Sequence, residues 1–239
     1  MKPRLLLILS LFVVSVGVLV WLYDGKAFLP PRHGRSTWHE ILVDLEACGR
    51  RKHLKARQYE HFADIAAAEN RIGAARLFRA IACSEHLQEE NLAAAIRRLG
   101  GNYAPPQEIA LYGGSTSRNL ERCIGVERHR FGKHTDAEIR RAMSRGNRYA
   151  ARLQIWAAAT DLREIILLEN LNAIGAEGFA VCPVCGNLYE SQHLDRYCPH
   201  CLTSGKEFIR FGPENAVGSG DEKAGHEASE SSPLSVSGI

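Results

Sequence analysis

Ala74-Ala75-Arg76-Leu77 returns 76 residues later as Ala150-Ala151-Arg152-Leu153. In the same register Ala66 falls on Ala142 and Glu85 on Asp161. Alanine-rich text can match itself by chance, but a carboxylate placed alike beyond both copies argues for a repeat. The text around each copy reads as helix. Ala, Leu, Arg and Glu dominate residues 37–99, and no proline interrupts them. Leu42, Leu45 and Cys48 recur at helical spacing, as do Tyr59, Phe62, Ala63 and Ala66, and then Leu77, Phe78 and Ile81. Gly100-Gly101 and Pro105-Pro106 punctuate the end of this half. A second helical half covers about 117–174 and breaks near Gly132 and Gly146. Two similar hairpins joined by a long connection through 100–117 predict a mainly α protein built on a four-helix bundle.

The helices are followed by Cys182-Pro183-Val184-Cys185-Gly186 and Cys198-Pro199-His200-Cys201, with twelve residues between the two knuckles. Four thiolates gathered by two tight turns make a closed tetrahedral cage that takes zinc or a single iron. Two disulfides are the rival reading. It is the weaker one, because two residues between cysteines give a strained ring. The other cysteines, Cys48, Cys83 and Cys123, stand singly in helical text and read as packing residues. His200 lies between two cage cysteines and is expected to be exposed, since four sulfurs already fill the shell.

A net charge of +3 and a pI of about 8.5 are too mild to argue for a nucleic-acid partner. No nucleophile triad, phosphate loop or dinucleotide fingerprint occurs. At the N-terminus, Lys2 and Arg4 precede an uncharged run over 5–22, flanked by Trp21 and Tyr23. Eighteen helical residues span about 27 Å, close to a bilayer core. Residues 1–23 therefore read as a membrane anchor; a cleaved signal peptide would have a shorter apolar region and a small-residue cleavage site. A short N-terminal arm favours a single-pass protein with its soluble domain outside the cytoplasm. The flanking charges are balanced, and the three lone cysteines favour a reducing compartment, so orientation stays open. Residues 24–36, with Gly25, Pro30, Pro31 and Gly34, read as a linker. Residues 212–239, rich in Gly, Ser and Glu, read as a disordered tail.

A duplicated helical hairpin followed by a short four-cysteine module resembles rubrerythrin. Tyr59-Glu60-His61-Phe62-Ala63 is similar to that family's first helix, and Leu77 to Glu85 to its second. The cysteine spacing, with Lys206 and Phe208 beyond it, is similar to its rubredoxin-like module. The resemblance covers residues 37–211 and implies a ferritin-like four-helix bundle over 37–177 and a rubredoxin-like or zinc-ribbon module over 178–211. It also implies two irons between the helices, peroxide reduction there, electrons delivered through the cysteine centre from a redox partner protein, and a homodimer. Phe179, Tyr189 and Phe208 would shield the cysteine centre from water.

The bundle departs from the family pattern of one Glu from each of two helices and a Glu-x-x-His from each of the other two. Glu85 is kept, but Gln88 stands three residues on. Asp161 and Glu164 stand in place of the second Glu-x-x-His. The first-helix glutamate, seven residues before Tyr59, is Lys52. The third helix offers Glu127, or Val126 if the register slips by one. His86 and His129 lie near ligand positions but face other sides of their helices. The resulting expectation is that Lys52 neutralises Glu85, Glu127, Asp161 and Glu164 in place of metal. The competing reading keeps one iron on Glu85, Glu127 and Glu164. The chain then reads as a membrane-anchored, rubrerythrin-like non-haem iron protein that transfers electrons through Cys182, Cys185, Cys198 and Cys201. The alternatives are a peroxidase with a remodelled di-iron site and a non-catalytic scaffold clipped by zinc.

Overall fold

The computed structural model describes residues 14–15, 35–131, 135–172 and 178–213. No helix among them is long and apolar enough to cross a membrane. The expected anchor over 5–22, save Val14 and Ser15, the linker up to residue 34 and the tail from 214 lie outside the described residues.

Among the described residues from 35 on, five helices follow one another: α1 Arg35–Ala68, α2 Ile72–Arg98, α3 Thr116–Arg130, α4 Thr135–Ser144 and α5 Arg148–Glu169. Helices α3 and α4 together occupy the position that α1 fills alone, so the molecule is a bundle of two hairpins. The connection through 99–115 carries the chain from one hairpin to the other. The sequence repeat extends to the backbone. Helix α1 ends at Ala68 and α4 at Ser144, while α2 begins at Ile72 and α5 at Arg148, each pair 76 residues apart. Both turns use one left-handed residue, Asn70 at φ 56° and Gly146 at φ 76°. Both close with the same bonds. Arg71 N donates to Ala66 O at 2.8 Å and Asn147 N to Ala142 O at 2.9 Å, while Asn70 N and Gly146 N each donate at 3.0 Å to a carbonyl three residues back. This pattern satisfies the last carbonyls of a helix and reverses the chain in three residues.

The apolar stripes of these helices meet in two buried layers. One gathers Tyr59, Phe62, Leu77, Phe78, Ile81 and Leu167; the other gathers Ile41, Leu45, Leu92, Ile96, Leu153 and Ala157. The carboxylate cluster described below shares residues' helices with both layers.

The C-terminal module holds a small antiparallel sheet in the order β2-β1-β3, with β1 Phe179–Val181, β2 Leu188–Glu190 and β3 Ile209–Phe211. Ala180 pairs with Tyr189 on one side and Arg210 on the other. Alternation along the strands divides the module between two cores. Phe179, Val181 and Leu188 turn into the bundle's first apolar layer. Ala180, Cys182 and Tyr189 turn the other way and pack with Cys185, Cys198 and Phe208. Trp156 of α5 touches both this cysteine core and the bundle's second layer. The expected shield is therefore two aromatics rather than three: Phe179 faces the bundle, and Tyr189 and Phe208 stack at 5.2 Å over the cysteines.

Candidate metal centre

The two knuckles are built alike, sixteen residues apart. In the first, Gly186 N donates to Cys182 O at 2.9 Å and Cys182 N to Asn187 O at 2.9 Å; in the second, Leu202 N donates to Cys198 O and Cys198 N to Thr203 O, both at 2.8 Å. Each turn needs a left-handed residue after its second cysteine, Gly186 at φ 74° and Leu202 at φ 65°. These turns aim all four sulfurs inward. Cys182 Sγ lies 3.4 Å from Cys201 Sγ, and Cys185 Sγ lies 3.5 Å from Cys198 Sγ. Metal–sulfur bonds of about 2.3 Å in a tetrahedron place sulfurs roughly 3.8 Å apart, whereas a disulfide needs about 2.05 Å. The cysteines are free thiols in this arrangement, and Cys182, Cys185, Cys198 and Cys201 form one potential metal-binding group.

Hydrogen-bond donors surround the sulfurs. Backbone N–H groups of Val184 and Cys185 point at the Cys182 sulfur, that of Asn187 at Cys185 and that of Thr203 at Cys201. The Tyr189 hydroxyl lies 3.2 Å from Cys198 Sγ, and Thr203 Oγ1 lies 3.0 Å from Cys201 Sγ. The Cys185 thiol and these N–H groups draw the Cys182 thiol down to about 4, so one sulfur gives up its proton readily. His200 is half-buried rather than exposed, with Nε2 3.4 Å from Asn187 Nδ2. It is not among the four side chains whose ligand atoms converge.

The first knuckle docks on α2 through a polar stripe one and two turns apart. Ser84 Oγ donates to Gly186 O, Asn91 Nδ2 donates to Val184 O at 2.8 Å, and Gln88 Nε2 donates to Ser84 Oγ at 3.3 Å. Gln88, which stands where the family pattern has histidine, thus turns toward the module and packs under Gly186.

The second cluster lies inside the bundle. Lys52, 3 % exposed, donates from Nζ to Glu85 Oε1 at 2.9 Å and to Asp161 Oδ1 at 2.8 Å. Lys55, which the sequence reading missed, reaches further. Its Nζ lies 3.0 Å from Glu85 Oε1, 3.3 Å from Glu127 Oε2, 3.0 Å from Asp161 Oδ1 and 2.9 Å from Glu164 Oε2. The spacing to Lys52 was the legible sign, since residues three apart share a helix face. Burial works against both ammonium groups, but Asp161 and its carboxylate neighbours outweigh it and hold both above the ordinary lysine range. Asp161, with 28 % of its side chain exposed, is held below the usual carboxylate range: burial pushes it up, and Lys52 and Lys55 pull it down further. Glu164 goes the other way; burial raises it well above that range, Lys55 opposes, and the charge of Glu85 adds to the rise.

All four expected carboxylates therefore converge. The three with oxygens within 4.8 Å of one another are Glu85, Asp161 and Glu164, rather than Glu85, Glu127 and Glu164. No histidine of the described residues joins them. His86 is exposed and contacts Glu89 and Glu90. The donor set lacks the imidazoles of a di-iron bundle site, and two ammonium groups sit on its oxygens, so these residues do not fit a pair of irons as they stand.

The chain has the fold of a ferritin-like helical bundle, and its C-terminal four-cysteine cluster fits a rubredoxin-like module. Nigerythrin, a rubrerythrin, in its fully reduced, all-ferrous state is similar over 72 % of this chain and 86 % of its own, at 23 % identity and a TM-score of 0.64. Its mixed-valence state matches over the same shares at a TM-score of 0.62. The bacterioferritin of Desulfovibrio desulfuricans, solved with its di-iron site in different catalytic states, covers 58 % of this chain and 81 % of its own, at 16 % identity and a TM-score of 0.50. No protein-family model matches the sequence, and no curated protein does.

Proposed function

We propose that this chain is a one-electron carrier. Its redox centre would be an iron on Cys182, Cys185, Cys198 and Cys201, with the helical bundle as a support rather than a second redox centre. The observation that carries the reading is the four converging sulfurs, each knuckle supplying N–H donors to its own thiolates. Iron so bound exchanges one electron and leaves no position for substrate. The protein's part is to hold the sulfurs and set their charge. Donors from Tyr189, Thr203 and the backbone stabilise negative charge on sulfur, which raises a reduction potential, and the Tyr189–Phe208 stack keeps water away. Trp156 seats the centre against the bundle.

The same reading attaches the protein to a membrane through residues 5–22, with the soluble part outside the cytoplasm. It takes electrons from or passes them to a redox partner protein, as a homodimer. A peroxide-reducing activity finds less support, because the bundle carboxylates are engaged by lysines.

The test is the visible spectrum and metal content of freshly purified full-length protein. A red protein that bleaches with dithionite, with one iron per chain, is expected. A colourless protein with zinc in that place would sink the carrier reading and leave the module a structural clip. Peroxide turnover under anaerobic, iron-loaded conditions with a reductase supplied would restore the peroxidase.

A further inference from the structure

Four carboxylates converge inside the bundle, although an electron carrier built on the cysteine centre makes no use of them. Two of their oxygens, Glu85 Oε1 and Asp161 Oδ1, each touch both ammonium nitrogens, so that Lys52 Nζ, Glu85 Oε1, Lys55 Nζ and Asp161 Oδ1 alternate around a small ring. Lys55 extends the ring to Glu127 and Glu164. Two cations bridged by shared carboxylate oxygens is the way a dinuclear metal centre is held together, here carried out by nitrogen. The lysine side chains are 4 % and 11 % exposed, and those of Glu85 and Glu164 not at all, so the cluster needs compensating cations from within. Four carboxylates against two ammonium groups leave an excess of negative charge. Glu85 Oε2 and Glu164 Oε1 remain buried without a partner. A proton kept on Glu164 lowers that excess.

We propose that the ammonium groups of Lys52 and Lys55 serve this bundle as its two cations, so that the bundle takes no metal as it exists and becomes a divalent-cation site when both lysines are removed. An ammonium and a divalent ion cannot share the cluster. They would claim the same oxygens, a metal at about 2.0–2.2 Å, and repel one another. The inference rests on the bundle half of the reading above and stands whichever metal the thiolates hold.

The experiment is equilibrium dialysis of the full chain against Co(II), followed by metal analysis and visible absorption, which separates intense thiolate–cobalt bands from the weak bands of oxygen-ligated cobalt. The wild type is expected to take one ion per chain, at the thiolates. Lys52→Met/Lys55→Met is expected to take at least one more with the weak spectrum, and to lose it again when Glu85→Gln and Glu164→Gln are added. If the double variant folds only with Co(II), judged by circular dichroism, the proposal is upheld. If it folds under neither condition, Lys52→Met alone decides, since Lys55 still reaches all four carboxylates: no uptake beyond the thiolate ion upholds the exclusion of metal by an ammonium, and extra oxygen-ligated uptake with Lys55 in place overturns it. A wild type that binds a second ion with the oxygen-ligand spectrum, or a folded double variant that binds none beyond the first, overturns it outright.

Discussion

At the scale of single residues, the bundle centre is decided by opposed titrations. Glu164 has its pKa raised in the folded state, so its contribution to stability is complete below about pH 4.3, the ordinary glutamate value, and is lost as pH rises toward the folded value. Asp161 has its pKa lowered, so its contribution is present above about pH 3.9 and is lost only in acid. Between pH 5 and 8 Glu164 contributes a fall in stability with rising pH, of at most about 1.4 kcal/mol per unit, while the lowered Cys182 thiol contributes a rise. Glu164→Gln is expected to remove the falling part, so that its stability gains on the wild type as pH rises. Urea unfolding at several pH values measures both; an unchanged slope in the variant would show that Glu164 carries no proton. Lys55 matters more than Lys52 by its contacts. Lys55→Met leaves Glu127 and Glu164 with no lysine and Glu85 and Asp161 with Lys52 alone, and is expected to cost about 3–5 kcal/mol of unfolding free energy, the range for breaking a buried ion pair, with Lys52→Met costing less. The reverse order in denaturant titrations would contradict the assigned geometry.

At the scale of elements, the two knuckles adopt one backbone for two different settings. Gly186 and Leu202 hold equivalent left-handed positions, but Leu202 is 76 % exposed and Gly186 lies on α2. A Cβ at Gly186 would meet Gln88 Cγ at 2.8 Å and the Ser84 carbonyl oxygen at 2.9 Å. Backbone cannot give way as a flexible side-chain end does. Gly186→Ala is therefore expected to cost about 1–3 kcal/mol through left-handed strain and lost docking, whereas Leu202→Ala stays within about 0.5 kcal/mol. Thermal unfolding followed by Trp fluorescence compares them, with Trp156 at the junction as reporter. Equal effects would mean that the first knuckle is not seated on α2.

At the scale of the whole molecule, the cysteine core is too small to hold itself. Its strands are three residues each, and three of the buried residues around Ala180, Tyr189 and Phe208 are cysteines. Such a module draws its folding free energy from the metal. The bundle draws its own from two apolar layers of helices. Stripping the metal with a strong chelator is expected to abolish the near-UV signal of Tyr189 and Trp156 and expose the chain beyond residue 178 to protease, while helicity by far-UV circular dichroism is retained. Parallel loss of helicity would show that Phe179, Val181 and Leu188 are indispensable to the bundle's core.

Much of this architecture was legible in one dimension because its signals are local. A 76-residue repeat, helical spacing of apolar residues and two Cys-Pro-x-Cys turns are each set by near neighbours, and a cysteine knuckle encodes its own geometry. The pairing of Lys52 with carboxylates was also readable, since the resemblance puts it seven residues before Tyr59, where the rubrerythrin pattern has a glutamate. What the residue text did not disclose depends on which faces meet. Lys55 carries more of the cluster than Lys52 because α1 presents both at the crossing with α2, α3 and α5. Gln88 serves the docked module because a strand pair places Gly186 above it. Phe179 leaves the cysteine core because alternation along β1 sends it into the bundle. Spacing along a chain fixes which side of an element a residue occupies, but the packing of whole elements decides what waits on that side.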